Sequence, residues 1–289
     1  MIIQLIINGL AMGSIYTLVA IATVLLYNAA GQVNFAQGEF VMLGAFVAYM
    51  GIKWWGLPYP VAILCMLAFM VVFGIAFERL IYRPVRARAG LTFIVITALA
   101  SILLKNVALN VWGAVPKPFP NFFGDELLLI GELSIVPQYL YIVVISAGLM
   151  GGLYYLLYRT ILGRKMRAAA QDPIAARLMG IPLNYVIVWN FVLCSVFMGV
   201  AGVLLAPVFF VEIDIGGLPA LYAFSASIIG GFGSIPGAIV GGLSLGLVEI
   251  FTAAYISSEY KVAISFMILV AFLLVRPTGL FGEKVSQKL

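Results

Sequence analysis

A polar or charged side chain inside an apolar segment costs up to roughly 2.5–3.5 kcal/mol at a helix centre, so the few present here are the first candidates for chemistry or passage. The densest cluster is Asn34, Gln37 and Glu39, beside a short apolar run. A second irregular stretch, Gly230-Gly231-Phe232-Gly233-Ser234-Ile235-Pro236-Gly237, frees backbone polar groups. Lipid does not tolerate such groups, but an aqueous or protein-lined cavity does. Two readings of these stretches stand. Either Asn34, Gln37, Glu39, Gly230, Gly233, Ser234 and Pro236 line or gate a route through a membrane, or both stretches cap and turn helices at its cytoplasmic face. Asn8, Tyr16 and Thr17 are weaker route candidates. Lys105 with Asn106, and Glu249, could each line a pore, pair within the bundle or snorkel, and the structural role is favoured for both; Glu78 with Arg79 is read as an interfacial pair at a helix end. Covalent chemistry is poorly supplied. The sequence has no histidine, which removes His acid–base catalysis and His metal ligation. Cys65 and Cys194 lie in apolar runs and read as small packing residues. No metal centre is expected. No Gly-x-x-x-x-Gly-Lys-Ser/Thr loop occurs, so the chain is not expected to hydrolyse ATP.

The elements that carry these residues are set by composition. Hydrophobic residues make up 64% of the 289-residue chain and charged residues 9%, and the mean hydropathy is +1.15. Soluble domains are roughly 45–50% apolar and about 25% charged. The expected fold is an all-α polytopic transmembrane bundle, one domain over residues 1–289. Apolar runs fall at Ile2–Tyr27, Gly38–Ile52, Pro58–Leu80, Leu91–Trp112, Pro137–Tyr158, Tyr185–Phe210, Ala220–Gly230, Ile235–Ile256 and Val262–Val275. That gives eight or nine membrane segments. Gly38–Ile52 and Ala220–Gly230 are read as short or broken spans. Met1–Asn8 contains no Lys or Arg, so the first run is expected to be a retained helix. Gly9 with Gly13, Gly148 with Gly152, Gly237 with Gly241, and Gly242 with Gly246 have the spacing of helix-packing pairs. Trp54, Trp55 and Trp112 sit at span ends, as interfacial aromatics do.

Basic residues cluster at Arg79–Arg88, at Arg159–Arg177 and after Arg276, whereas Asp125, Glu126, Glu132, Glu212, Asp214 and Glu259 lie in the intervening segments. The positive-inside rule puts the basic regions in the cytoplasm, with the N-terminus outside and the C-terminus inside if nine segments cross. The formal charge of +5 reflects those loops rather than a nucleic-acid partner.

The most informative segment is the basic one, residues 159–183, which contains Gly163-Arg164-Lys165-Met166-Arg167-Ala168-Ala169-Ala170-Gln171-Asp172-Pro173-Ile174-Ala175-Ala176-Arg177-Leu178-Met179-Gly180. Asp172-Pro173 is a helix start, and Gly180 suits the position just past a helix end. The spacing predicts a helix of about two turns over Pro173–Met179, apolar along Ile174 and Leu178 and along Ala175 and Met179. Too short to be stable alone, it needs a partner surface, either the membrane interface or a cytosolic protein.

This stretch resembles the cytoplasmic loop of LivH-type branched-chain amino acid permeases, with its Gly-Arg-x-x-Arg-Ala…Asp-Pro-x-Ala-Ala-x-x-x-Gly pattern. Asn34-Phe35-Ala36-Gln37-Gly38-Glu39 is similar to that family's Asn-Phe-Ala-His-Gly-Glu run, departing at Gln37. Gly230–Ala238 and Arg276-Pro277-Thr278-Gly279-Leu280-Phe281-Gly282 resemble two further family motifs. The resemblance implies a permease subunit of an ATP-binding cassette importer for branched-chain or related small amino acids, in a bacterial or archaeal cytoplasmic membrane. It implies that Gly163, Arg164, Arg167, Ala168, Asp172, Ala175, Ala176 and Gly180 form the ATPase contact. It also implies a second, LivM-like permease subunit, two ATPase subunits that use ATP and Mg, and an extracytoplasmic substrate-binding protein. No cofactor is expected in this chain. An ATP-independent secondary transporter or channel is the alternative, but its ion-binding carboxylates are not expected when most charges lie at span ends.

Overall fold

The computed structural model describes residues 2–86, 90–121, 128–130, 133–276 and 278–281. Arg88, Asp125, Glu126, Glu132, Pro277 and Gly282, all used above, lie outside the described residues, as do Lys284 and Lys288 of the basic cluster after Arg276. The chain is helical almost throughout. α1 covers Ile2–Ala30, α2 Gln37–Lys53 and α3 Tyr59–Phe77. A π segment, Glu78–Tyr82, carries α3 into the single turn α4, Arg83–Val85. Next come α5 (Gly90–Trp112), a two-stranded hairpin β1–β2 (Leu128–Ile130 and Leu133–Ile135), and α6 (Pro137–Arg159). α7 (Ile161–Gln171) and α8 (Pro173–Leu178) form the loop before α9 (Leu183–Phe209). α10 (Gly217–Gly230), α11 (Ile235–Tyr255) and α12 (Lys261–Val275) complete the chain.

Among the described residues, six helices are long and apolar enough to cross a membrane: Ile2–Ala30, Tyr59–Val85, Leu91–Trp112, Pro137–Arg159, Leu183–Phe209 and Ile235–Tyr255. α2, α10 and α12 are shorter, at 17, 14 and 15 residues. At 1.5 Å per residue they extend only about 21–26 Å, less than the ~30 Å of hydrocarbon. Among the described residues, the nine apolar helices correspond one to one with the nine apolar runs. The sequence marks two as short, and α12 is a third. A tight turn ends at Tyr260, and Arg276 followed by Pro277 stops the helix at its other end.

The chain forms two compact units interleaved in sequence, Met1–Val24 with Phe123–Ser146 and Pro219–Leu289, and Leu25–Phe122 with Ala147–Leu218. In the first unit α1 and α11 meet through glycine. A Cβ at Gly13 would lie 2.9 Å from Leu243 Cα, and one at Gly246 would lie 2.2 Å from the Gly13 nitrogen. In the second unit α2, α3 and α9 make the centre. A Cβ at Gly44 would lie 2.3 Å from Gly199 Cα, and Ser195 Oγ donates to the Met70 carbonyl at 2.8 Å. Phe40 packs edge-on against Phe73 and Phe77, each at 4.9 Å between ring centroids.

Three expectations are corrected here. Gly148 and Gly152 do not pack: nothing lies within 4 Å of where their Cβ atoms would be, so the spacing on α6 leaves an open stripe among the described residues. Glu78 does not share the exposure of the neighbour it is paired with in sequence: it is fully buried, whereas Arg79 is exposed. Glu78 opens the π segment, whose wider turn breaks the 3.6-residue periodicity by which an α-helix end would be read. Cys194 is a buried packing residue as expected, but Cys65 is exposed on α3.

Candidate functional site

The basic loop is built by consecutive caps. Thr160 opens α7, its side chain accepting from the Gly163 N–H at 3.1 Å. Gly163, Met166 and Ala169 form the buried stripe of α7. A Cβ at Gly163 would lie 2.2 Å from the Leu156 carbonyl oxygen, so only glycine lets α7 fold back this tightly on the end of α6. The Arg167 guanidinium lies over the Tyr158 ring, 4.6 Å from its centroid, a cation–π contact that fixes α7 against α6. The spacing and caps predict the second helix but not the first, which carries no long apolar run. Thr160 and the i, i+3 series Gly163, Met166 and Ala169 are the signal that could have found it.

α8 begins where expected. Asp172 Oδ1 accepts from the N–H groups of Ile174 and Ala175 at 2.9 and 3.0 Å, and Pro173 holds the first helical position. Its last helical residue is Leu178, one short of the expected Met179, which instead caps the end. Gly180 has φ +78°, the Ile181 N–H bonds the Ala176 carbonyl at 3.0 Å, and the Gly180 N–H bonds that of Arg177 at 3.1 Å. These are the paired bonds of a Schellman terminus. Ala176 is buried, Ala168 half-buried, and Arg164, Arg167, Asp172, Ala175 and Gly180 are exposed. The exposed large apolar groups of α8 and its cap are Ile174, Leu178 and Met179, at 75%, 84% and 82% exposure. They present an apolar tip on a helix held at both ends. Asp172→Ala is expected to cost about 1 kcal/mol of local stability. Amide hydrogen exchange at Ile174 and Ala175 should then quicken about fivefold, while α6 and α9 stay protected.

The polar cluster after α1 sits elsewhere than the charge pattern suggests. Asn34, Gln37 and Glu39 are all buried. Asn34 Oδ1 accepts from the Ala36 N–H at 2.9 Å, and the Phe35 N–H donates to Thr97 Oγ1 at 3.2 Å. Ser101 Oγ donates to Glu39 Oε1 at 2.8 Å. Ser101 is the middle residue of the 23-residue helix α5. The break before α2 is therefore level with the midpoint of a span, not at the cytoplasmic face. One turn further along α5, Lys105 Nζ lies 2.6 Å from Asp214 Oδ1 and 4.0 Å from Glu39 Oε1. Sequence separation hides this trio, since Asp214 is 109 residues from Lys105.

The Gly230–Pro236 stretch is a braced turn. Gly231 and Gly233 have φ of +100° and +99°. Ser234 caps α11 by accepting from the Gly237 N–H at 3.2 Å, and Pro236 lies in the first turn. Gly230 and Gly237 touch backbone to backbone, leaving no room for a Cβ on either. The Leu280 and Phe281 N–H groups bond the carbonyls of Ile229 and Gly230 at 2.8 and 2.9 Å. The terminal motif thus holds the turn shut. In the same unit, Tyr16 OH donates to Glu249 Oε2 at 2.5 Å, and Lys261 Nζ lies 2.9 Å from Glu249 Oε1. Thr17 packs against Gly242. Glu249 has the internal pairing partner that the sequence suggests for it.

These features have counterparts in known proteins. A family model described as the permease component of branched-chain amino acid transport systems matches residues 5–273. The chain is 34% identical to the high-affinity branched-chain amino acid transport system permease protein BraD of Pseudomonas aeruginosa, over 99% of this chain and 97% of BraD. It is likewise 34% identical to LivH of Escherichia coli K12, with the same coverage. A probable LivH of Methanocaldococcus jannaschii is 28% identical over 93% of this chain and 89% of its own length. Among solved structures, a chain of PsaBC from Streptococcus pneumoniae in complex with Fab superposes with a TM-score of 0.50 at 15% identity, covering 94% of this chain and 91% of that one, a likeness of fold alone. With a family match spanning nearly the whole chain and full-length relatives a third identical, this multi-pass membrane protein belongs to the family of permease components of branched-chain amino acid transport systems.

Proposed function

We propose that the chain is the membrane-spanning subunit of an ATP-driven importer for branched-chain or related small amino acids, supplying half of the translocation pathway. The observation that carries this is α8, capped at both ends and presenting Ile174, Leu178 and Met179 to a surface outside this chain. Such a device suits seating in a groove of a separate ATPase. ATP and Mg belong to that subunit, of which two copies act, and no cofactor is held here. Loop 159–183 passes ATPase closure to the bundle. In it Arg164, Arg167, Ala168, Asp172 and Ala175 lie towards the partner, and Gly163, Ala176 and Gly180 keep the loop's shape. Asn34, Gln37 and Glu39 line the pathway. The turn through Gly230, Gly233, Ser234 and Pro236 serves as a hinge at its cytoplasmic end. A second permease chain of the LivM type completes the pathway, and a soluble binding protein delivers substrate to the outer face. The membrane is the cytoplasmic one of a bacterium or archaeon, with the N-terminus outside and the C-terminus inside.

The test is uptake of labelled leucine into proteoliposomes holding the chain and its transporter partners. Uptake is expected to require ATP and the binding protein, and to fall about tenfold or more in Arg167→Glu and Ala175→Trp with the chain still folded. Leucine uptake that continues without ATP would sink the importer assignment and favour a secondary transporter.

A further inference from the structure

The arginines at the end of α3 take no part in the coupling loop. Arg79, Arg83 and Arg86 are all exposed, while Glu78, Tyr82 and Val85, which alternate with them along the π segment and α4, are buried. Among the described residues none of the three arginines makes an ion pair. Glu78 is the nearest acid in sequence, but it is fully buried, and neither of its carboxylate oxygens has a hydrogen-bond partner among the described residues. Three positive charges therefore stand on the outward side with no carboxylate to offset them. Arg86 Nη1 donates to Asn184 Oδ1 in the first turn of α9. Beside Asn184, Tyr185 and Trp189 form an edge-on pair with ring centroids 6.1 Å apart, and both rings are partly open to the surroundings. Away from the arginines the outward side of this segment is apolar, carrying Leu80, Val72, Phe69 and Leu64, all exposed.

We infer that Arg79, Arg83 and Arg86, with the neighbouring edge of α9, form a site for the headgroup of an anionic phospholipid. The phosphate is held by the guanidinium groups, and the acyl chains run along the exposed apolar side of α3. Topology alone asks only for positive charge at this end of the span. Here all three cations are arginine, whose planar fork takes two oxygens of one phosphate, and the hydrogen bond to Asn184 fixes one of them in place. Tyrosine and tryptophan with one polar edge sit at headgroup depth, so Tyr185 and Trp189 set the level of the site. The ligand must be amphipathic, because the arginines pass directly into an apolar side that lies along a membrane span. A free anion makes no use of that side, and a cytosolic protein does not reach it. Basic surface between helices on the cytoplasmic side suits anionic headgroups for the same reasons. The site is independent of which solute the chain moves.

The test is native mass spectrometry of the full chain titrated with dioleoylphosphatidylglycerol or dioleoylphosphatidylcholine, which share acyl chains and differ in net charge. The first phosphatidylglycerol should bind about tenfold or more tightly than phosphatidylcholine. Arg79→Gln, Arg83→Gln and Arg86→Gln together should bring the two lipids within about twofold of each other. Arg83→Gln alone, which removes a side chain with no ion pair among the described residues, should lower the preference about fivefold, and it reads the site even if the triple variant does not fold. A second triple, Arg159→Gln, Lys165→Gln and Arg177→Gln, removes as much charge elsewhere and should leave the preference within about twofold of the parent. Equal binding of the two lipids by the parent, or the same loss in the second triple, overturns the site. Displacement of phosphatidylglycerol by inorganic phosphate makes it a free-anion site and overturns the lipid. Lipid preference unchanged in the first triple, with loss of ATPase co-purification, makes these arginines a protein contact and also overturns it.

Discussion

Gly202→Val is expected to leave little folded protein to purify, whereas Gly148→Val is expected to be tolerated. The two substitutions add the same isopropyl group to glycines of membrane helices, so their contrast isolates packing. A Cβ at Gly202 would lie 2.0 Å from the Val41 carbonyl oxygen and 3.2 Å from the Ala45 nitrogen. These are backbone atoms of α2, so no rotamer change relieves the clash. One turn away on the same crossing, Gly44 lies equally close to Gly199, where a Cβ would sit 2.3 Å from Cα. The same stripe of α9 is also tied to α3, by Ser195 Oγ bonding the Met70 carbonyl at 2.8 Å and by the contact of Gly74 with Ser195, so a shift of α9 away from α2 would disturb that contact too. Lipid offers no hydrophobic drive to hold separated helices together, so loss of close approach removes the main attraction between them. Overpacking costs about 1–3 kcal/mol where side chains can adjust, and more where backbone must move. Nothing lies within 4 Å of a Cβ at Gly148. Size-exclusion yield of the detergent-solubilised chain should fall about tenfold or more in Gly202→Val and stay near the parent in Gly148→Val. Equal yields would mean that the α2–α9 contact is not what holds this unit together.

Much of this structure is legible in the sequence because lipid makes composition decisive. Each apolar run became a helix, since a backbone in hydrocarbon must satisfy itself. The α8 caps are legible because Asp172-Pro173 and Gly180 act on bonds within three residues of themselves. What escapes is what depends on depth or on distant partners. The charge pattern assigns the break at Asn34–Glu39 to a membrane face because it counts residues from α1. Its height is set instead by Ser101 and Thr97 of α5, which only the fold brings near. Lys105 reads as a snorkelling or structural lysine, and its pairing with Asp214 needs a partner from the turn after α9. Gly-x-x-x-Gly spacing does not discriminate either: Gly9 and Gly13 are buried against α11, while Gly148 and Gly152 face open space.

Leu178→Asp should abolish ATP-driven transport without unfolding the chain. Leu178 is 84% exposed, so within this chain it has few contacts to lose, and aspartate near a helix C-terminus costs only a few tenths of a kcal/mol. Ile174 and Met179 share that exposure, and a six-residue helix holds three large apolar groups clear of the protein only because Asp172 and Gly180 fix its two ends. If the tip enters a groove on an ATPase, burying a carboxylate there forfeits the apolar contact and adds a desolvation penalty. Central interface anchors cost at least ~2 kcal/mol when lost, about a thirtyfold fall in association. Leucine uptake and co-purification of the ATPase should therefore fall together by about thirtyfold or more. Leu178→Ala, which loses contact but buries no charge, should fall less in both measurements. Asp172→Ala, which loosens the helix but leaves the tip intact, should reduce uptake by about fivefold, matching the free energy of the lost cap. This order, aspartate worst and the cap variant mildest, follows from a rigid apolar tip seated in a groove. Parent-level uptake by Leu178→Asp would show that ATPase motion reaches the bundle through some other part of loop 159–183, with the exposed arginines of α7 next to be tested.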